Sequence, residues 1–125
     1  MGDNWFETRK HSVLVSLLIV LGYLFLMLGN NIVSLTHPDE VFYIQSAKEM
    51  LAHGDFLTPR IFDGVQFEKP FLSFALFAMA IKTLGLTPFA ARFWPALFAI
   101  IGVVAVYWIA WTLFKSKRLA FLAGA

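Results

Sequence analysis

Two short clusters hold the residues best equipped for chemistry. Asp39-Glu40 follows one long apolar run, and Glu68-Lys69-Pro70 precedes the next. An ionised carboxylate at a water–lipid boundary can take a proton from a hydroxyl acceptor within hydrogen-bond reach, and Asp39 and Glu40 are the candidates for that role. Tyr43, four residues on, shares a helix face with Asp39. Lys69 brings a positive charge to a point where Pro70 suits the first position of a helix, whose free N–H groups and dipole also favour an anion. A phosphate group is the natural ligand there, and Arg60 and Arg92 are further candidate phosphate ligands. The competing reading makes the acidic pair a solvated helix start and the cations interfacial anchors. His37, His53, Asp39 and Glu68 could converge on a metal in space, but no spacing argues for it, so no cofactor is expected and a divalent metal is left open.

These clusters bound the long polar interruption of the chain, residues 37–71, which holds six of the eight acidic residues. Pro38, with Asp39 and Glu40 behind it, suits a helix first turn, and Gly54 suits its end. Between them Phe42, Tyr43, Ile44, Ala47, Met50 and Leu51 lie on one side and Gln45, Ser46, Lys48, Glu49 and His53 mostly on the other. That pattern predicts an amphipathic helix along the outer interface, with Glu49 a solvated bystander. Thr58-Pro59 and Asp63-Gly64 read as turns.

The flanking stretches must supply the scaffold. The chain is 59% hydrophobic, 17% aromatic and 14% charged over 125 residues. A soluble domain is nearer 45–50% apolar and about 25% charged, so the surrounding solvent is read as lipid. Ser12–Gly29 carries no charge over eighteen residues, about 27 Å as a helix. A signal peptide would need a shorter apolar centre and a better cleavage site than Asn30-Asn31-Ile32-Val33 offers. Phe71–Leu86 is a shorter run interrupted by Lys82, either a crossing or a re-entrant segment. Thr87-Pro88 opens a helix whose Phe93–Phe114 stretch is free of charge, with Pro95 expected to kink it. Arg9-Lys10 before the first run places the N-terminus on the cytoplasmic side. Three crossings would then put Lys115, Lys117 and Arg118 outside, against the positive-inside tendency, unless the second run does not cross or a missing part fixes the topology. A further apolar run, Leu119–Ala125, is unfinished, so the chain is expected to be the N-terminal piece of a longer protein. No cysteine is present, which excludes disulfides and thiolate metal sites, and the scattered basic residues give nucleic-acid binding no support.

Asp39-Glu40, Tyr43, Ala47, Met50-Leu51, Gly54-Asp55-Phe56, Pro59, Asp63-Gly64 and Phe67-Glu68-Lys69-Pro70, in this order and spacing, resemble the first extracytoplasmic loop of a family of membrane enzymes. These are the polyprenyl-phosphate-sugar-dependent glycosyltransferases of the GT-C class, among them the aminoarabinose transferases and protein O-mannosyltransferases. Phe89-Ala90-Ala91-Arg92-Phe93 extends the likeness, which covers roughly residues 12–125. The resemblance implies an inverting glycosyltransferase of the bacterial inner membrane, with a polyprenyl-phosphate-linked sugar and membrane lipids as partners. Its acceptor would be a lipid, glycan or protein hydroxyl on the outer face. It also implies Asp39, with Glu40 beside it, as the catalytic carboxylate and Glu68 and Lys69 as contacts to substrate, metal or donor phosphate. Tyr43, Arg60 and Arg92 are substrate-binding candidates from the residues themselves. Aminoarabinose transferases usually carry Arg three residues after the aspartate and Pro-Pro after the lysine. Phe42 and Pro70-Phe71 stand there instead, which leaves sugar and acceptor open. The expected architecture is an all-α integral membrane protein with about three transmembrane helices (about 12–29, 71–86 and 88–114), an interfacial helix in an outer loop 30–70, and no activity for this part alone. A small non-catalytic membrane protein or transporter fragment is the rival.

Overall fold

A computed structural model describes residues 3–125, with side chains from residue 9 onward, so part of the polar stretch 1–11 lies outside the described residues. Five helices and one short hairpin follow one another: α1 (Asp3–Leu26), α2 (Pro38–His53), β1 (Arg60–Ile61), β2 (Gly64–Val65), α3 (Phe71–Leu84), α4 (Pro88–Phe114) and α5 (Lys117–Gly124). They form two compact units, Gly29–Trp94 and the remainder of the described chain. Helix α4 continues through Pro95 and contributes residues 88–94 to the first unit and 95–114 to the second.

In the first unit the local signals fix the helix ends. The His37 side chain caps α2 by accepting the Asp39 N–H, Pro38 takes the first helical position, and Gly54 ends the helix at φ 67°. Ile44, Ser46, Ala47 and Met50 form its buried face. Helix α3 buries Phe74, Ala78, Ala80 and Ile81. Ala47, Ala78, Ala80, Ala90 and Ala91 recur in one core with Ile44 and Ile81, and small side chains of this kind let helix backbones approach closely. Tyr43 packs on Phe74 and Phe77 at ring separations of 5.1 and 5.3 Å. Lys69, at the start of α3, meets Asp39 at the start of α2, while Lys82 near the end of α3 lies over Phe56 beyond the end of α2. The two helices therefore run side by side in the same direction. Thr87 caps α4 by accepting the Ala90 N–H at 3.2 Å.

The second unit pairs α1 with the later part of α4. His11 Nδ1 lies 2.6 Å from the Tyr107 hydroxyl, and a Cβ on Gly22 would come within 3.0 Å of Ile100. Contacts that advance along α1 retreat along α4, so the pair is antiparallel. Lys115 ends α4 in the left-handed region and Ser116 caps α5, which turns the chain back so that Ala120 joins Leu18 and Tyr107 in a small core. Apolar side chains on these helices, among them Phe25, Ile109 and Leu113, remain strongly exposed, as expected of surfaces that meet lipid.

Two helices, α1 from Arg9 and α4, are long and apolar enough to cross a membrane. The second of the three expected crossings corresponds to α3, a shorter apolar helix. With 14 residues α3 is about 21 Å long, shorter than a hydrocarbon core of about 30 Å. Its buried stripe is spent on α2 and its neighbours. The expectation for α2 changes too, because its apolar face is covered by α3 and not left to the interface alone.

Candidate active site

The starts of α2 and α3 bring two of the expected site residues together. Lys69 Nζ lies 3.3 Å from Asp39 Oδ1, across thirty residues of chain. The pairing follows from the parallel packing of the helices, each preceded by a residue that fixes its entry, His37-Pro38 and Pro70. Beneath the ammonium lie two rings, Tyr43 at 4.6 Å and Phe42 at 5.0 Å from Nζ, both close enough for cation–π attraction. The hydrogen bond from Lys69 to Asp39 is the main cause that holds the lysine above its ordinary pKa, so it stays charged at any physiological pH. Asp39 is the more exposed partner, and its second oxygen lies 3.9 Å from His37 Nδ1. Pro70 is the residue before α3, one position earlier than expected, and no side chain caps the helix. The first turn of α3 therefore presents its N–H groups beside Lys69.

Glu40 and Arg92 are placed differently from their neighbours. Arg92 Nε donates to Glu40 Oε1 at 2.8 Å and its Nη2 to Oε2 at 2.9 Å, a two-pronged pair. The remaining Arg92 N–H groups go to the backbone carbonyls of Asn30, Val33 and Ser34. One guanidinium thus ties the entry strand of the loop, the first turn of α2 and the start of α4. The Arg92 hydrogen bond chiefly, with its charge behind it, holds the Glu40 carboxyl below the ordinary glutamate range. Glu40, expected to be catalytic, and Arg92, expected to bind substrate, hold each other in this structure.

Arg60 and Glu68 do not join the cluster. Arg60 opens β1 and is the smallest of the influences on Asp55, whose carboxyl is held low first by the Thr58 hydroxyl and the Leu57 N–H. Glu68 is exposed beside Lys69 with no hydrogen bond or ion pair among the described residues. No three His, Cys, Asp or Glu side chains gather to hold a metal among the described residues.

Glu49 is the residue that sequence reading underrated. Its Oε1 accepts from Gln45 Nε2 at 2.8 Å and the Phe62 N–H at 3.0 Å, and its Oε2 accepts the Asp63 N–H at 3.2 Å. Phe62 and Asp63 are the two central residues of the hairpin turn and both are left-handed, at φ 51° and 62°. Asn and Gly favour that conformation, whereas a phenylalanine there is strained by about 1 kcal/mol or more. The carboxylate compensates by receiving both turn amides. Burial pulls its pKa up, but the hydrogen bonds from Gln45, Asp63 and Phe62 outweigh it and leave it below the ordinary range. In Glu49→Gln one charged acceptor pair becomes a single neutral oxygen. Each charge-assisted bond contributes about 1.5–3 kcal/mol, so the Phe62 and Asp63 amides should exchange with solvent deuterium about tenfold faster or more. Unchanged exchange in the 57–67 peptide would mean that the turn holds itself.

Comparison with known proteins adds a family to this geometry. The family of dolichyl-phosphate-mannose-protein mannosyltransferases matches residues 12–125. An undecaprenyl phosphate-alpha-4-amino-4-deoxy-L-arabinose arabinosyl transferase of Pectobacterium atrosepticum is 35% identical over 109 residues, 87% of this chain and 20% of that protein. A second arabinosyl transferase of the same description, from Proteus mirabilis, is 30% identical over 113 residues, 90% of this chain and 20% of its own. An uncharacterized protein of Aquifex aeolicus is 34% identical over 110 residues, 88% and 22% of the respective lengths. The chain spans about a fifth of the length of the curated relatives it matches. No solved structure matches it.

Proposed function

Because the chain belongs to the dolichyl-phosphate-mannose-protein mannosyltransferase family, we propose that it supplies the acceptor-activating loop of a membrane glycosyltransferase. The donor is a sugar on a polyprenyl phosphate, and the acceptor a hydroxyl at the outer face of the membrane. The observation that carries this reading is the meeting of Asp39 and Lys69 at two helix starts.

The chemistry assigns one task to each group. The acceptor oxygen attacks the anomeric carbon, the bond from that carbon to the phosphate oxygen breaks, and polyprenyl phosphate leaves with the electron pair. Asp39 takes the acceptor proton. Lys69 and the uncapped first turn of α3 receive the charge that grows on the leaving phosphate, where preorganised donors contribute most. In the free protein the lysine is held by Asp39, so an incoming phosphate competes for the ammonium and releases the carboxylate for its role as base. Phe42 and Tyr43 hold the ammonium from the other side without offering it a second anion. Glu40, with both oxygens engaged by Arg92, fixes the backbone from which Asp39 projects.

The test is made on the full-length protein in membranes. Radiolabelled sugar should pass to acceptor from a polyprenyl-phosphate donor and not from a nucleotide sugar supplied to membranes depleted of that lipid. Equal transfer from the nucleotide sugar in those membranes would overturn the donor assignment.

A further inference from the structure

The second unit gathers basic residues at one end. Arg9 and Lys10 on α1 and Lys117 at the start of α5 line one cleft of about 390 Å³, whose wall is continued by Val13 and Leu14. A second cleft of about 320 Å³ lies on the other side of the same Leu14 and Lys117, walled by Arg118, Phe121 and Leu122. Both are lined by cations together with aliphatic or aromatic side chains. By sequence this unit holds five cations, Arg9, Lys10, Lys115, Lys117 and Arg118, against two acids, Asp3 and Glu7. Lys115, Lys117 and Arg118 fall within four residues. Lys117 and Arg118 open α5, whose first turn no acidic residue occupies and where the helix dipole disfavours positive charge.

We propose that these clefts seat an anionic diacyl phospholipid of the bilayer, independently of the transfer reaction. The phosphate lies among Lys10, Lys117 and Arg118, and the acyl chains follow the exposed apolar flank formed by Val13, Leu14 and Leu122. The charge arrangement selects this occupant: a zwitterionic headgroup carries its own cation into the cluster, whereas phosphatidylglycerol supplies only the anion. Each Lys or Arg near an anionic headgroup contributes about 1 kcal/mol, so even partial engagement of three cations favours the anionic lipid about fivefold or more. The lipid joins α1 to α5 at the membrane surface.

The test uses the full-length protein in phosphatidylcholine nanodiscs doped with spin-labelled phosphatidylglycerol or spin-labelled phosphatidylcholine. The motionally restricted fraction should favour phosphatidylglycerol about fivefold or more, and 0.5 M salt should reduce that preference. In the combined variant Lys10→Gln, Lys117→Gln, Arg118→Gln the ratio should fall to near one. Lys48→Gln with Lys82→Gln removes two charges from the other unit and should leave it unchanged. A wild-type ratio near one, or full selectivity in the triple variant, overturns the proposal. So does mole-for-mole displacement by undecaprenyl phosphate, which would identify a polyprenyl lipid as the occupant.

Discussion

Asp39→Asn should lower sugar transfer by the full-length protein about 100-fold or more while leaving its expression and membrane insertion intact. The asparagine oxygen can still accept a hydrogen bond from Lys69, so the 3.3 Å contact at the helix starts has a close replacement. Only the proton-accepting charge is lost. A positioned general base contributes about 10²–10⁴-fold, and a 100-fold loss is about 2.7 kcal/mol of transition-state stabilisation. Lys69→Ala should behave differently. It frees Asp39 from its ion pair but removes the charge that meets the donor phosphate, so the donor KM should rise and kcat should fall together. Lys48→Gln is the control, because Lys48 is exposed on α2 and takes part in no described hydrogen bond or ion pair. Transfer rate against donor concentration, at matched expression, separates these cases. Near-wild-type turnover by Asp39→Asn would reduce the Asp39–Lys69 pair to an ordinary surface ion pair.

The parts of this arrangement that could be read from sequence are those fixed by neighbours in the chain. Pro38 and Gly54 delimit α2, and Thr87 caps α4, because helix ends are satisfied by residues within a few positions. The parts that could not be read depend on long separations. Arg92 and Glu40 are 52 residues apart, and each alone looks like an anchor or a catalytic group. Only their packing shows that they saturate one another. Glu49 lies on the polar side of an amphipathic pattern and so reads as solvated, yet its partners are amides 13 and 14 residues on. A signal was available: the hairpin turn is built on Phe62 and Asp63 without a glycine between them, so its left-handed amides needed an acceptor from elsewhere. The length of α3 was the third ambiguity. Sixteen apolar residues can serve as a short span or as a buried helix, and the alanines that pack α3 against α2 are brought together only in three dimensions.

For the membrane topology we propose two crossings, α1 and α4. Arg9, Lys10 and Lys117 line one cleft at one end of the antiparallel pair formed by α1 and the later part of α4. If α3 does not cross, the helices on either side of residues 29–94 are consecutive spans. Both basic clusters then lie on the same side, in accord with the positive-inside tendency, and the conflict created by three crossings disappears. Cysteines introduced singly at Gln45, Asp63 and Leu86 in the otherwise cysteine-free described chain should react with an impermeant thiol reagent added outside intact cells, whereas one at Lys115 should react only after permeabilisation. Leu86 is the informative position. It follows α3 and is 56% exposed, so a crossing α3 would carry it to the inner face and two crossings leave it outside with Asp63. Labelling should therefore be nearly all-or-none at that residue. Protection of Leu86→Cys until permeabilisation, with Asp63→Cys still labelled from outside, would restore the third span. It would also move the start of α4, with Arg92, to the face opposite Asp39 and Lys69, and the Glu40–Arg92 tie could not then support the site.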